Sequence, residues 1–362
     1  MPRPSAQRTP FGSARGRTDV DVWTLDSGTG VRADILTYGG VLHRLTVPGT
    51  TGAGASVVRS LATLDDYTAA NPYFGAVVGR YANRIAHGRF TLDGATHHIP
   101  ANDRGHALHG GPEGFHTKVW EATADGTDEA VALRLTLHSP DGDMGFPGAL
   151  DVGVTYSLDR AGTLAADYTA TTDRPTVVNL TNHAYFDLGG EGDIPGHTLA
   201  VDADSYLPVD AEGIPEGPAA EVRGTPFDLT EPRALGDLLG LGDDQLRLAG
   251  GFDHCWILRD PGPGRTGGLR RAARLTAPGA VRAMEVWTTE PGIQVYTGNQ
   301  LDGAFTDGAG RRHERHGSVC LETQHLPDSP NRPDHPSTVL RPGETLRSRT
   351  EWRFPHLRGA HP

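Results

Sequence analysis

The chain has 362 residues, 36% of them aliphatic, aromatic or cysteine and 22% charged, which is a globular composition with ample length to bury a core. Its net charge of −12, with arginines scattered rather than clustered, argues against a nucleic-acid footprint and disfavours polyanionic partners. No stretch approaches the roughly 18 uninterrupted apolar residues of a membrane-spanning helix.

The first 17 residues, MPRPSAQRTPFGSARGR, are basic but lack an apolar segment, so no secretory signal is expected. They read as a flexible leader ahead of a single domain over 18–358. Short strands then follow one another: DVWTL, VRADILTYG, FTLDGATHHI, VALRLTLHS, LDVGVTYSL, TLAADYTATT and TVVNLTNHAYFDL. Between the first two strands of this series and the hairpin-like third, LATLDDYTAA reads as a short helix. Beyond them come HTLAVDADSYL, the short helix EPRALGDLLG, and the strands HCWILR, AARLTA, RAMEVWTT, GIQVYTGN, SVCLETQ and ETLRSRTEWRF. LAADYTATT and LRSRTEWRF alternate apolar and polar residues as half-buried antiparallel strands do.

Glycine (48) and proline (27) punctuate the whole chain instead of marking one linker. Strands do not alternate with helices, which argues against doubly wound and TIM-type folds. The expected fold is all-β, a large antiparallel β-sandwich with few short helices.

Two cysteines, Cys255 and Cys320, are too few for a disulfide framework and read as buried thiols of a cytoplasmic protein. Schiff-base chemistry would rest on the only lysine, Lys118, in the loop-like FHTKVW, and is set aside. Gly262, Gly264 and Gly267 match a dinucleotide-binding pattern, but Pro263 interrupts the loop and a strand, not a helix, follows. The stretch 261–268 reads as a surface loop. His313 and His316 are three apart, and His97 and His98 are adjacent and so would face opposite ways on a strand. Neither pair makes a convergent metal site, and no metal or cofactor is expected.

The chemistry concentrates elsewhere. Read as a strand, residues 176–188 place Asn179, Thr181, His183 and Tyr185 on one polar face, suited either to a hydroxyl-rich ligand or to solvent. In SVCLETQ, Glu322 lies among apolar residues, where it needs a partner or a raised pKa. It is either a functional carboxylate or a salt-bridged structural one. Gln294, Asn83, Arg84, His109 and Asp253 each stand on a strand or beside a glycine-rich turn, where sites often form.

Together these segments carry a resemblance. From about residue 20 to 355 the chain resembles the aldose 1-epimerase (galactose mutarotase) family. The stretches that carry it are LTYGGVLHRLTVP, PYFGAVVGRYANRIAHGRFTLDG, LHGGPEGFHTKVW, NLTNHAYFDLGG, GFDHCWIL, PGIQVYTGNQLDG, CLETQHLPDSPN and LRPGE. The resemblance implies the galactose mutarotase-like supersandwich fold. It also implies His183 as general acid, Glu322 as general base, and Asn83, Arg84, His109, Tyr185, Asp253 and Gln294 as sugar contacts. Cys255 and Gln300 depart from the family pattern and bear on sugar preference rather than on the acid–base pair.

The implied reaction interconverts the α and β anomers of a free aldose. Glu322 takes the C1 hydroxyl proton while His183, its pKa raised by the nearby carboxylate, donates to the ring oxygen. A small sugar is the expected partner of a monomer or homodimer, with no nucleic acid and no membrane. The alternatives are a hexose-phosphate 1-epimerase, a non-catalytic sugar-binding module, and a glycoside hydrolase or lyase using Asp253 with Glu322.

Overall fold

A computed structural model describes residues 2–14, 18–69, 72–190, 192–260 and 268–359. The chain builds three main antiparallel sheets. A five-stranded sheet follows chain order through Ser5–Ala14, Thr18–Asp26, Arg32–Leu36, Leu42–Pro48 and Gly54–Ser56. A nine-stranded sheet begins at Glu121–Gly126, Ala130–Ser139, Leu150–Asp159 and Leu164–Thr172. It continues through Leu346–Arg353, Ala283–Thr288, Arg270–Thr276, Thr198–Val201 and Arg233–Ala234. A six-stranded sheet is ordered Tyr185–Phe186, Val319–Gln324, Gly292–Tyr296, Asp253–Leu258, Ala203–Leu207 and Ala220–Glu221.

Period-two alternation explains how these sheets pack. Leu133, Val154, Tyr168 and Trp352 of the nine-stranded sheet share one core with Ile293, Val295, Val319 and Leu321 of the six-stranded sheet. Ala33, Ile35 and Leu45 of the five-stranded sheet join them. One buried polar contact crosses the sandwich, a 2.6 Å hydrogen bond between the Thr323 and Thr350 hydroxyls. Among the described residues no helix is long and apolar enough to cross a membrane.

Two expectations are corrected. The stretch read as a flexible leader contains the first strand: Ser5–Ala14 pairs with Thr18–Asp26 from Ser5 opposite Asp26 to Ala14 opposite Thr18. Most of its side chains are exposed, so it is held by backbone hydrogen bonds, which leave little trace in side-chain patterning. The remainder of that stretch, Met1 and residues 15–17, lies outside the described residues, as do the pattern glycines Gly262, Gly264 and Gly267.

Residues 176–188 are likewise not one strand. Three two-residue pieces pair with three different partners: Thr176–Val177 with Val339–Leu340, Thr181–Asn182 with Val77–Val78, and Tyr185–Phe186 with Val319–Gln324. Every residue from 176 to 188 is buried, so there is no solvated face. Asn179 and Asn182 are turned to backbone carbonyls, at 3.1 Å to Ala82 O and 2.8 Å to Gly75 O. They act as clamps, as buried amides must find partners.

The expected helices appear as Leu64–Thr68, closed by a Thr63–Asp66 capping box, and Leu235–Leu239. A third, Asp244–Ala249, is not expected from the sequence; Asp243 caps it by accepting from the Gln245 and Leu246 amides. His97 stacks on Phe90 within a hairpin turned at Asp93-Gly94, both with positive φ, while His98 is exposed.

Candidate active site

Register in the six-stranded sheet assembles half of the site. Directly opposed residues of an antiparallel pair share a face. Glu322 is opposite Gln294, which is opposite Cys255. In the next row Tyr185 is opposite Cys320, Cys320 opposite Tyr296, and Tyr296 opposite Asp253. Since Ile293, Val295, Val319 and Leu321 face the sandwich core, this second face is turned to the site.

Two loops supply the other half. Arg84–Ile85 pairs with Ala107–Leu108, which brings Asn83 beside His109. Both Asn83 (φ 64°) and His109 (φ 53°) occupy the left-handed region, where strain often accompanies function. The Asn83 backbone N–H donates to His109 Nδ1 at 3.1 Å, and the Asn83 carbonyl accepts from the His109 N–H at 3.1 Å. With Nδ1 accepting, the neutral His109 ring carries its proton on Nε2. Asn83 Oδ1 accepts from Arg84 N at 2.8 Å.

Arg84 Nε donates to Asp103 at 2.8 Å, and Arg84 Nη2 lies 3.7 Å from Asp253. Burial works against the Arg84 charge, but Asp253 and Asp103 outweigh it and hold its pKa above the ordinary value. Gln294 Nε2 donates to Asp253 Oδ1 at 2.8 Å.

His183 is anchored through its backbone: its N–H donates to Ala76 O and its carbonyl accepts from Gly75 N, both at 2.9 Å. Its Nε2 lies 3.7 Å from Glu322 Oε1, and its Nδ1 lies 3.6 Å from Cys320 Sγ. The two side chains are 6% and 2% exposed, so the pair is nearly sealed. Burial pushes the Glu322 carboxyl well above its ordinary range; Asp253 adds to this and Arg84 opposes it. Burial also pushes His183 down to about 4, its own carbonyl and Asp253 offsetting only part. The expected rise of the His183 pKa is thus reversed, because desolvation of the imidazolium exceeds the attraction of a carboxylate that is itself protonated. His109 is pushed well below its ordinary value by burial, with His183, Arg84 and His116 adding to the effect.

These groups surround a cavity of about 440 Å³ including its open mouth. His183, Glu322, Asn83, Arg84, His109, Asp253 and Tyr185 line it, together with Pro72, Tyr73, Leu108, Tyr296 and Gln300. Tyr185 contributes its ring, since its hydroxyl donates to Pro72 O at 2.9 Å. Gln294, directly opposite Glu322 on the same face, is not among the lining residues; its Nε2 donates to Asp253 Oδ1 and orients that carboxylate. A larger groove of about 1270 Å³, open to solvent, lies over the nine-stranded sheet; its facing acid–base pair, His138 Nδ1 at 2.7 Å from Asp151, is solvent-exposed instead of sealed.

Sequence reasoning missed Tyr73, although it lies in one of the stretches that carry the family resemblance, and Asp103 and Gly213, which carry no periodic or motif signal of their own. Gly213 (φ 83°) closes against the back of Arg84: a Cβ there would lie 3.0 Å from Arg84 Cζ and 3.1 Å from Nη1. Gly213→Ala is therefore expected to displace the guanidinium. Steady-state kinetics should show KM rising by roughly three- to tenfold with kcat little changed.

The motifs set aside do not converge on the cavity. His313 bonds to Ser60 O and His316 to Gly250 O. Lys118 Nζ lies 3.6 Å from Asp143. His109, His183 and Glu322 each offer a ligand atom within 4.8 Å of the others. They fit a metal poorly, because the Asn83 amide occupies His109 Nδ1 and leaves a proton on Nε2.

The model of the aldose 1-epimerase family matches residues 21–353. The chain is 41% identical over 355 residues to the galactose mutarotase of Rattus norvegicus, covering 97% of this chain and 98% of that relative. It is 37% identical over 334 residues to the aldose 1-epimerase of Escherichia coli strain K12, covering 91% and 94%. The crystal structure of a galactose 1-epimerase from Lactobacillus acidophilus NCFM superposes with a TM-score of 0.84 at 28% identity, over 97% of this chain and 98% of that one. The expected supersandwich is the fold observed, and with a family match spanning most of its length the chain belongs to the aldose 1-epimerase family.

Proposed function

We propose that this chain interconverts the α and β anomers of free aldohexoses such as glucose and galactose, with Glu322 as base and His183 as acid. The observation that carries this reading is the buried pair itself, Glu322 Oε1 facing His183 Nε2 at 3.7 Å in the wall of a polar cavity. A sealed pair is most stable when neutral overall, and so holds one proton between its two members.

With that proton on His183, Glu322 removes the proton from O1; the C1–O1 double bond forms and the C1–O5 bond breaks. O5 takes the His183 proton. Rotation about C1–C2 and the reverse transfers close the ring as the other anomer. Ring opening leaves Glu322 protonated and His183 neutral, the distribution that burial favours. Arg84, Asn83, His109 Nε2–H and Asp253 would hold the sugar hydroxyls.

Arg84 is the one cationic side chain lining the cavity among the described residues, and Asp103 and Asp253 flank it. That charge balance favours a neutral sugar over a phosphate ester. Cys255 and Cys320 are buried free thiols, which supports a cytoplasmic location. A sugar is the partner proposed, for a monomer or homodimer.

The test is polarimetric: purified protein should accelerate mutarotation of α-D-galactose or α-D-glucose above the buffer rate. In the same assay kcat/KM should stay level from about pH 8 down to about 5.5. An ordinary histidine would impose an inflection near 6.5, whereas the lowered pKa of His183 keeps that limb below the range. No acceleration at any protein concentration would overturn the reading.

A further inference from the structure

Resting on that reading, we propose that Tyr73 is a positioning residue for the acid–base chemistry: its ring is wedged against both site histidines and walls them from water. Tyr73 carries φ 63°, an uncommon backbone conformation for a bulky side chain. The strain is held in place from both sides. Pro72 O accepts from the Tyr185 hydroxyl at 2.9 Å, and Gly75 N donates to His183 O at 2.9 Å. The segment that bears Tyr73 is therefore tied to the segment that bears His183.

The ring centroid of Tyr73 lies 4.6 Å from His109, 4.7 Å from His116 and 5.7 Å from His183. Its hydroxyl accepts from Asn102 Nδ2 at 3.3 Å. The Leu108 N–H donates to Asn102 Oδ1 at 2.7 Å and the Leu108 carbonyl accepts from Asn102 Nδ2 at 3.1 Å, which fixes the residue just before His109. One side chain thus braces both loops of the site.

The groups facing His183 come from several elements. Glu322 and Cys320 lie on one strand, Tyr296 on the next and Asp253 on the third, while His109 and Arg84 come from the loops and Tyr185 from its own segment. His116 stands beyond Tyr73 and is close enough to share its electrostatics. Desolvation is the largest influence on His183, His109 and His116 alike, so removing this wall should act mainly by readmitting water.

Two variants separate positioning from structure. Tyr73→Phe keeps the ring and drops only the hydroxyl bond to Asn102, so it should leave the His183 titration at its wild-type position whatever the change in rate. Tyr73→Gly relieves the strained φ, and so should fold, but removes the wall. Its kcat/KM at neutral pH should fall by about tenfold, a fraction of the worth of an acid–base partner. An acid limb should appear near pH 6 where wild type is level. Independently of activity, the His183 imidazole, followed by ¹⁵N NMR titration, should titrate at least about one unit higher in Tyr73→Gly than in wild type. A His183 titration unchanged in folded Tyr73→Gly would overturn this proposal. An inactive wild type would instead overturn the proposed function and leave the titration to judge Tyr73.

Discussion

Glu322→Gln should lower kcat/KM for α-D-galactose mutarotation by roughly 10²–10⁴-fold, the usual worth of one acid–base partner. The amide is nearly isosteric with the carboxyl but cannot accept the O1 proton. Glu322 is 2% exposed, and the other carboxylate lining the cavity on that face, Asp253, is held by Gln294 and Arg84. The same variant should be more stable at neutral to alkaline pH. A carboxyl whose folded pKa lies above its unfolded value contributes stability at low pH that is lost as pH rises. Gln removes that penalty, which should be worth about 1–3 kcal/mol. Polarimetry and thermal unfolding at pH 8 check both halves. Full activity would remove Glu322 from the mechanism, and a lower Tm would show that its protonated form is held by bonds that Gln cannot make.

The second large effect concerns acid. Burial lowers five histidines, His43, His116, His183, His254 and His313, each to about 4. Below their unfolded pKa of about 6.5 the unfolded chain binds protons that the folded chain refuses, so stability is lost as pH falls from about 6.5 toward 4. Each contributes a slope of ~1.4 kcal/mol per pH unit once well below 6.5, and five approach ~7 kcal/mol per unit. Glu322 offsets one of them in the opposite direction. Against a typical net stability of about 5–15 kcal/mol, cooperative unfolding is expected between about pH 4.5 and 5.5. Circular dichroism across a pH series reads this directly. A fold intact at pH 4 would mean that these imidazoles accept protons without leaving the interior.

Much of this was legible along the chain. The turn glycines and alternating segments point to an antiparallel sandwich, and Leu150–Asp159 and Leu164–Thr172 fall where alternation places them. The first strand was not legible, because its exposed side chains conceal a backbone ladder. The stretch 176–188 misled for the opposite reason. Its polar residues look like one solvated face, yet each is buried against a different neighbour. The residues named for the site lie around one cavity, with Gln294 opposite Glu322 and bonded to Asp253, an arrangement that side-chain spacing along one strand does not encode.

By itself, the order of residues determined the fold class, the family and which candidate acid and base are present, since these depend on local pattern and residue identity. The protonation of that pair was decided by tertiary structure alone. A pKa is the sum of desolvation and field from groups far apart in sequence, and here Asp253, Arg84 and the walls around His183 and Glu322 set it. The same holds for the backs of the site, where Gly213 meets Arg84 and Tyr73 meets His109. Such contacts exist only once strands and loops distant in the chain have been brought to within a few ångströms.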